Sequence, residues 1–172
     1  MSSESSFPLD QALLGFLMQN PAHGYALYQR AEAELGRVWY MGMSNVYGTL
    51  KGLEADGRVE SSRDEGSYPP RTVYRTTAKG RGSFLVWVRE PVPAIRDMRV
   101  ELLAKLYFFT TLGLDGMETF LNAQEALCEE RLEELEQCAA EDPEEGFERL
   151  VSDFRRHRIR ATLDWLRALE RE

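Results

Sequence analysis

Ser44-Asn45-Val46-Tyr47-Gly48-Thr49-Leu50-Lys51-Gly52-Leu53-Glu54-Ala55-Asp56-Gly57-Arg58-Val59, taken with the later run Arg71-Thr72-Val73-Tyr74-Arg75-Thr76-Thr77-Ala78-Lys79-Gly80-Arg81-Gly82, decides the fold. Val46, Leu50 and Leu53 recur at i, i+4 and i+7, so they share one face of a helix and bury it. The opposite arc carries Ser44, Gly48, Lys51 and Ala55, with Tyr47 on its shoulder. After Gly57 a short strand starts at Val59, and Arg63 to Pro70 forms a charged tip. In the return strand, Arg71, Val73, Arg75 and Thr77 alternate with Thr72, Tyr74 and Thr76. A short helix followed by a polar hairpin is the pattern of a winged helix-turn-helix, which makes nucleic acid the first ligand class to consider. Interior glycine costs about 1 kcal/mol against alanine in a helix. Gly48 and Gly52 therefore imply that something approaches that backbone closely.

Upstream, Leu9, Leu13, Leu14, Phe16 and Leu17 form an apolar helical run that stops at Asn20-Pro21. His23-Gly24-Tyr25 opens a second helix, which Gly36 ends. Gly42 to Ser44 supplies a turn and an N-cap, and the third helix runs from there to Asp56-Gly57. Downstream of the hairpin, Thr76 or Thr77 can cap a helix containing Phe84, Leu85, Trp87 and Val88. Glu90-Pro91-Val92-Pro93 then marks an extended linker. Beyond it, Ile95 to Thr111, Leu114 to Ala140 and Phe147 to Leu169 are all helical in pattern, the last two separated by Asp142-Pro143. The expected fold class is mainly α: a winged helix-turn-helix domain with a two-stranded wing over 1–90, then a C-terminal long-helix dimerisation domain over 91–172. A partner chain is the simplest cover for apolar stripes on the long helices; an intramolecular bundle packed on the winged helix is the other reading. Leu121, Cys128, Leu132, Leu135, Phe147, Val151, Phe154 and Trp165 are the candidate dimerisation residues.

The formal charge of −8 is unevenly placed. Residues 1–90 hold ten Lys and Arg against ten Asp and Glu, and 91–172 hold eleven against nineteen. Between Arg58 and Arg89 seven basic residues face three acidic ones, a local positive stripe able to meet phosphates. No apolar run approaches the roughly 20 residues needed to span a bilayer. Met1 to Ser6 lacks the basic and apolar regions of a secretory signal, so a cytoplasmic location is expected. Cys128 and Cys138 are ten positions apart on one helix, about 15 Å along its axis, too far for a mutual disulfide. Both read as small buried apolar residues. His23 and His157 are unclustered, so neither a metal nor a cofactor is expected. Lys79-Gly80-Arg81-Gly82 lacks the strand and Lys-Ser/Thr ending of a phosphate loop. Glu129-Glu130, Glu133-Glu134 and Glu144-Glu145 read as solvated helix faces. With no nucleophile–base constellation either, an enzyme is not expected.

Leu13-Leu14-Gly15-Phe16-Leu17, Pro21-Ala22-His23-Gly24-Tyr25-Ala26-Leu27, Ser44-Asn45-Val46-Tyr47 with Leu50, Leu53-Glu54 and Gly57, and Val73-Tyr74-Arg75-Thr76-Thr77 with Lys79-Gly80 occur in that order. With Asp97, Lys105-Leu106 and Phe108-Phe109 ahead of a long Glu-, Arg- and Leu-rich helix, the chain resembles the PadR-like transcriptional regulators over nearly its whole length, in their longer subgroup. The resemblance implies a homodimeric repressor of a pseudo-palindromic double-stranded DNA operator. Its third helix would enter the major groove with Ser44, Asn45, Tyr47 and Lys51. His23, Gly24 and Tyr25 would meet a phosphate, and the wing would contribute Arg63, Arg71, Tyr74 and Arg75. Gly48 departs from the family, which usually carries a bulkier residue there. Relatives also imply a small aromatic or planar effector held by aromatic residues near the dimer interface. The residues alone leave plainer readings open: Tyr47 as a prop between helices, Lys51 as a solvated cation, and Trp39, Trp87 and Trp165 as core or interface. The acidic total leaves open a dimeric winged-helix module that binds protein and not DNA.

Overall fold

The computed structural model describes residues 8–66, 70–141 and 145–169. Among these, seven helices and three short strands follow in the order α1 (Leu9–Gln19), β1 (Ala22–His23), α2 (Gly24–Leu35), α3 (Met43–Ala55), β2 (Val59–Asp64), β3 (Arg71–Thr76), α4 (Ala78–Arg89), α5 (Ile95–Leu112), α6 (Met117–Glu141) and α7 (Gly146–Leu169). The part of the wing tip at 67–69, the Asp142-Pro143 break, Glu144 and Met1 to Ser6 lie outside the described residues.

The periodicity of α3 is realised: Val46 and Leu50 are fully buried and Leu53 nearly so. Within the Gly42 to Ser44 turn, Gly42 is the extended N-cap residue, with no side-chain capping bond, and Ser44 lies inside the first turn. The helix ends on Gly57, at φ +67°, where a side chain would be strained. There the Arg58 N–H donates to the Leu53 carbonyl at 2.8 Å and the Gly57 N–H to Glu54 at 3.0 Å, the paired closure of a Schellman turn. The Thr77 hydroxyl caps α4 by accepting from the Gly80 N–H at 3.2 Å.

The two-stranded wing β2–β3 is present as expected, and a short third strand extends its sheet. β3 pairs antiparallel with β2 on one side and with β1 on the other, giving the order β1-β3-β2. A two-residue strand is too short to leave a periodic signal in sequence. Its register sets Ala22 opposite Tyr74 and His23 opposite Val73.

The chain forms two compact units that interleave in sequence: Met1–Glu90 with Arg99–Asp115, and Pro91–Met98 with Gly116–Glu172. A single division at residue 90 had been expected. Most of α5 belongs instead with the N-terminal unit, because Phe108 stacks edge-on with Phe16 and Phe84, at centroid distances of 5.2 and 5.3 Å. Lys105 in α5 is only 1% exposed. Its ammonium donates to the Glu90 carbonyl at 2.6 Å and pairs with Glu101 at 2.9 Å. It also lies 5.0 Å from the centre of the Trp87 ring, whose indole N–H donates to Glu101. Burial pushes the Lys105 ammonium below its ordinary value, against the opposing pull of Glu101 and Glu90.

In the second unit α6 and α7 run antiparallel, joined by ion pairs of Arg160 with Glu136 and of Arg167 with Glu125 and Glu129. The buried side chains of α7 are Ser152, Ile159, Leu163 and Leu166. Buried Gln124 brackets one linker residue: its carbonyl accepts from the Val92 N–H at 2.7 Å and its amide donates to the Val92 carbonyl at 3.2 Å.

This packing corrects two dimerisation assignments: Leu121 and Cys128 are buried by their own chain, with the Cys128 sulfur 3.9 Å from that of Met98. Leu132, Leu135 and Val151 are half-buried, Trp165 is on the exposed side, and Phe147 and Phe154 are exposed at 78% and 62%. Cys138 is exposed, contrary to the buried role expected of it, because it lies on the solvent side of α6. Burial raises the Cys128 thiol above its ordinary value, while the hydrogen bond from Gln124 works the other way. Among the described residues no helix is long and apolar enough to cross a membrane, and no three metal-ligating side chains cluster.

Candidate nucleic-acid interface

On the surface of α3, opposite its buried stripe, Ser44, Asn45, Tyr47, Gly48 and Lys51 are all exposed. A Cβ added at Gly48 or Gly52 would meet nothing within 4 Å, so internal packing does not demand glycine at either place. Gly24 is the reverse case. A Cβ there would fall 2.6 Å from the Tyr47 ring, so the ring as it stands leaves room for glycine and for nothing larger. Tyr47 is therefore both a prop between α2 and α3 and, at 39% exposure, a surface residue.

Beside α3 the sheet draws several expected residues into one concavity of about 450 Å³, lined by His23, Gly24, Tyr25, Tyr47, Arg71 and Tyr74. His23 is the N-cap of α2 and its ring nitrogen Nδ1 accepts from the Ala26 N–H at 3.1 Å. The β1–β3 register carries the ring toward the wing, where Nε2 lies 3.0 Å from Arg71 Nη1. Tyr25 is exposed at 49%, and its hydroxyl accepts from the Gln29 side chain. Tyr74 differs from the others: only 8% exposed, it forms the floor. Burial, with Glu54 and Tyr47 close by, raises its phenol. Tyr74 thus stands beneath the other expected contacts and not among the exposed ones.

The wing is divided by its pleat. Arg71 and Arg75 stand opposite Asp64 and Glu60 and share one face of the sheet. Arg63, opposite Thr72, has the register of the Tyr74 face. All three arginines are exposed. Their neighbours in the basic stripe are not all available. Arg58 pairs with Asp10 at 2.9 Å and Asp56 at 3.0 Å, Lys79 donates to the Asp56 carbonyl, and Arg89 donates to the Leu85 carbonyl. The stripe that counted seven cations in sequence thus leaves Arg63, Arg75 and Arg81 with no side-chain partner among the contacts described, while Arg71 meets His23. Sequence reasoning missed the approach of His23 to Arg71, for which the only available clue was Val73, an apolar residue in an otherwise polar strand.

A family model described as the transcriptional regulator PadR-like family matches residues 13–84, and one described as virulence activator alpha C-term matches 98–172. The chain is similar to the negative transcriptional regulator PadR of Bacillus subtilis (strain 168), with 26% identity over 106 residues, covering 61% of this chain and 58% of that protein. It is also similar to the probable transcriptional regulator Rv1176c of Mycobacterium tuberculosis, with 27% identity over 92 residues, 53% of this chain and 49% of that one. The matches therefore span only about half the length of these relatives. Among solved structures, that of Bacillus subtilis PadR in complex with operator DNA aligns with a TM-score of 0.49 and 22% identity, covering 95% of this chain and 98% of the other.

Proposed function

The chain belongs to the PadR-like family of transcriptional regulators, and from this premise we propose that it is a cytoplasmic, homodimeric repressor of a pseudo-palindromic DNA operator. Its family consists of regulators and not enzymes. The observation that carries DNA binding is the exposed face of α3, where Ser44, Asn45, Tyr47 and Lys51 stand clear of the core beside two glycines that internal packing does not require. Such a face fits a major groove, with Arg63 and Arg75 of the wing on neighbouring phosphates. Repression follows the sign in the name of the Bacillus subtilis relative.

Dimerisation is supported by α7, which leaves Phe147, Leu150 and Phe154 at 78%, 66% and 62% exposure along one side while its other side is buried. A two-fold dimer would set two copies of α3 about 34 Å apart, one turn of DNA. A small aromatic or planar effector completes the proposal and is supported by family membership alone.

Footprinting on the DNA upstream of the protein's own gene tests the reading: an inverted repeat should be protected. No protection at any salt concentration would instead favour the winged-helix module that binds protein. Light scattering should give twice the 19.8 kDa chain mass for the parent and half of that value for Phe147→Asp/Phe154→Asp. For the effector, thermal shifts across phenolic acids, antibiotics and planar cations suffice, since a ligand at 100 times its dissociation constant adds about 2.7 kcal/mol.

A further inference from the structure

An acidic side chain stands where a DNA-binding surface disfavours one. Glu54 is exposed on α3 one turn beyond Lys51, on the side of the helix that also carries Tyr47. A carboxylate there repels the phosphates that Lys51 would meet. Its oxygen is engaged within the chain: the Ser61 hydroxyl of β2 donates to Glu54 Oε1 at 2.5 Å, a hydrogen bond to a charged acceptor. Val59, Ser61 and Arg63 share one face of the strand, and Ser61 stands opposite Tyr74, the floor of the concavity beside α3. Along β2 only Val59 is buried, and the residues from Glu60 to Asp64 are exposed. β2 is also an edge of the sheet, in the order β1-β3-β2. Core packing therefore anchors the root of β2 and stops there. The next contact outward toward α3 is the bond from Ser61 to Glu54, and Arg63 follows two residues later, about 7 Å along the strand.

We propose that Glu54 is a positioning residue for the wing: by accepting from Ser61 it holds the outer part of β2 against the end of α3, so that Arg63 and the helix face meet the duplex as one surface. This rests on the DNA-binding reading above and adds to it a residue that itself touches no DNA. Both ends of the bond are exposed, so it contributes little to global stability, and what it supplies is the place of Arg63. The end of α3 is tied separately. Arg58 pairs with Asp10 and Asp56, and the Thr77 hydroxyl donates to the Gly57 carbonyl at 2.8 Å. Loss of the Ser61 bond thus frees the strand and leaves the helix where it is.

The test uses the full-length protein and a short fluorescein-labelled duplex of arbitrary sequence, since phosphate contacts do not depend on sequence. Removing a carboxylate that merely stood near DNA would tighten binding. Glu54→Ala should instead weaken it by about fivefold, as the wing spends less time in its competent position. Although no cation is removed, the salt slope should flatten by up to about one unit, because Arg63 no longer reaches its phosphate. Glu54→Gln keeps an acceptor for Ser61 without the charge, and should bind as tightly as the parent or tighter. Ser61→Ala should reproduce the loss, with no further loss in combination with Glu54→Ala. Arg63→Ala should weaken binding in the parent and have less than about a twofold effect once Glu54→Ala is present. Backbone nitrogen relaxation of the free protein gives a readout that needs no DNA: order parameters at Ser61 to Asp64 should fall in Glu54→Ala and Ser61→Ala, while those of α3 hold.

Undiminished binding by Glu54→Ala, a full Arg63→Ala loss in that background, or unchanged order parameters in the wing would each overturn the positioning role and leave the DNA-binding reading standing. Equal losses for Glu54→Gln and Glu54→Ala would overturn it too, by making the charge and not the hydrogen bond responsible. A parent protein that binds no duplex would remove the DNA-binding reading and this inference with it.

Discussion

Alanine at Gly48 and at Gly52 should stabilise the protein, while alanine at Gly24 should destabilise it. All three glycines are in helices, so propensity alone favours the substitution at each, by about 0.8–1 kcal/mol in a helix interior. The structure separates them by what the new methyl group would meet. At Gly48 and Gly52 there is nothing within 4 Å, so the propensity gain is uncontested. At Gly24 the methyl would fall 2.6 Å from the Tyr47 ring, so the ring or the start of α2 must give way; overpacking of this kind costs about 1–3 kcal/mol. The pair Gly48→Ala/Gly52→Ala should gain about 1.5–2 kcal/mol and raise the melting temperature by about 3–8 °C for a chain of this size. Urea denaturation of the three single variants and the double, at constant m-value, measures this directly. Loss of stability on Gly48→Ala would mean instead that the surface of α3 is already occupied in the free protein. The same variants sharpen the functional question: if the glycines admit a close DNA backbone, the stabilised double variant should bind operator more weakly, and Gly48→Arg should alter its sequence preference.

Lys51→Ala and Arg75→Ala should each weaken duplex binding across sequences and flatten the salt slope by about one unit, as measured by fluorescence anisotropy from low to moderate salt. An unchanged slope in both would remove them from the phosphate contacts. A thiol reagent should modify one cysteine rapidly in the native chain and two after denaturation, because Cys138 is exposed whereas Cys128 is buried with its thiol raised; mass mapping should place the fast label on Cys138. Lys105 has a folded value lowered from 10.5, so between the two values the unfolded chain binds the proton that the folded chain has released. Stability relative to Lys105→Met should therefore rise with pH through the alkaline range, and a fall there would contradict the burial of that ammonium.

The elements most legible in the sequence were those with a repeated signal. Val46, Leu50 and Leu53 gave α3 its buried stripe, Thr77 capped α4, and alternation marked β3. What escaped was contact made without periodicity. β1 has two residues, and its existence depends on β3 offering a free edge at Val73 and Tyr74. Membership of α5 in the first unit depends on Phe108 and Lys105 finding Phe16, Phe84 and Trp87, a tertiary choice that a proline-rich linker masks. The candidate site was legible as a set of residue types but not as an arrangement. Tyr74 looked like its neighbours in the strand, yet its phase on the pleat turns it inward as a floor. Arg58, Lys79 and Arg89 counted as basic in composition, and only the fold shows their hydrogen-bonding groups turned to the protein's own carboxylates and carbonyls.

The His23 ring has a double duty, capping α2 with one nitrogen and facing Arg71 with the other. Aspartate is among the best N-cap residues, and at this position its carboxylate would pair with Arg71 and hold the wing arginine on its own chain. Histidine caps the helix as well and leaves that guanidinium without a carboxylate at this contact, so the same residue that starts α2 also decides how firmly the wing is tied to it.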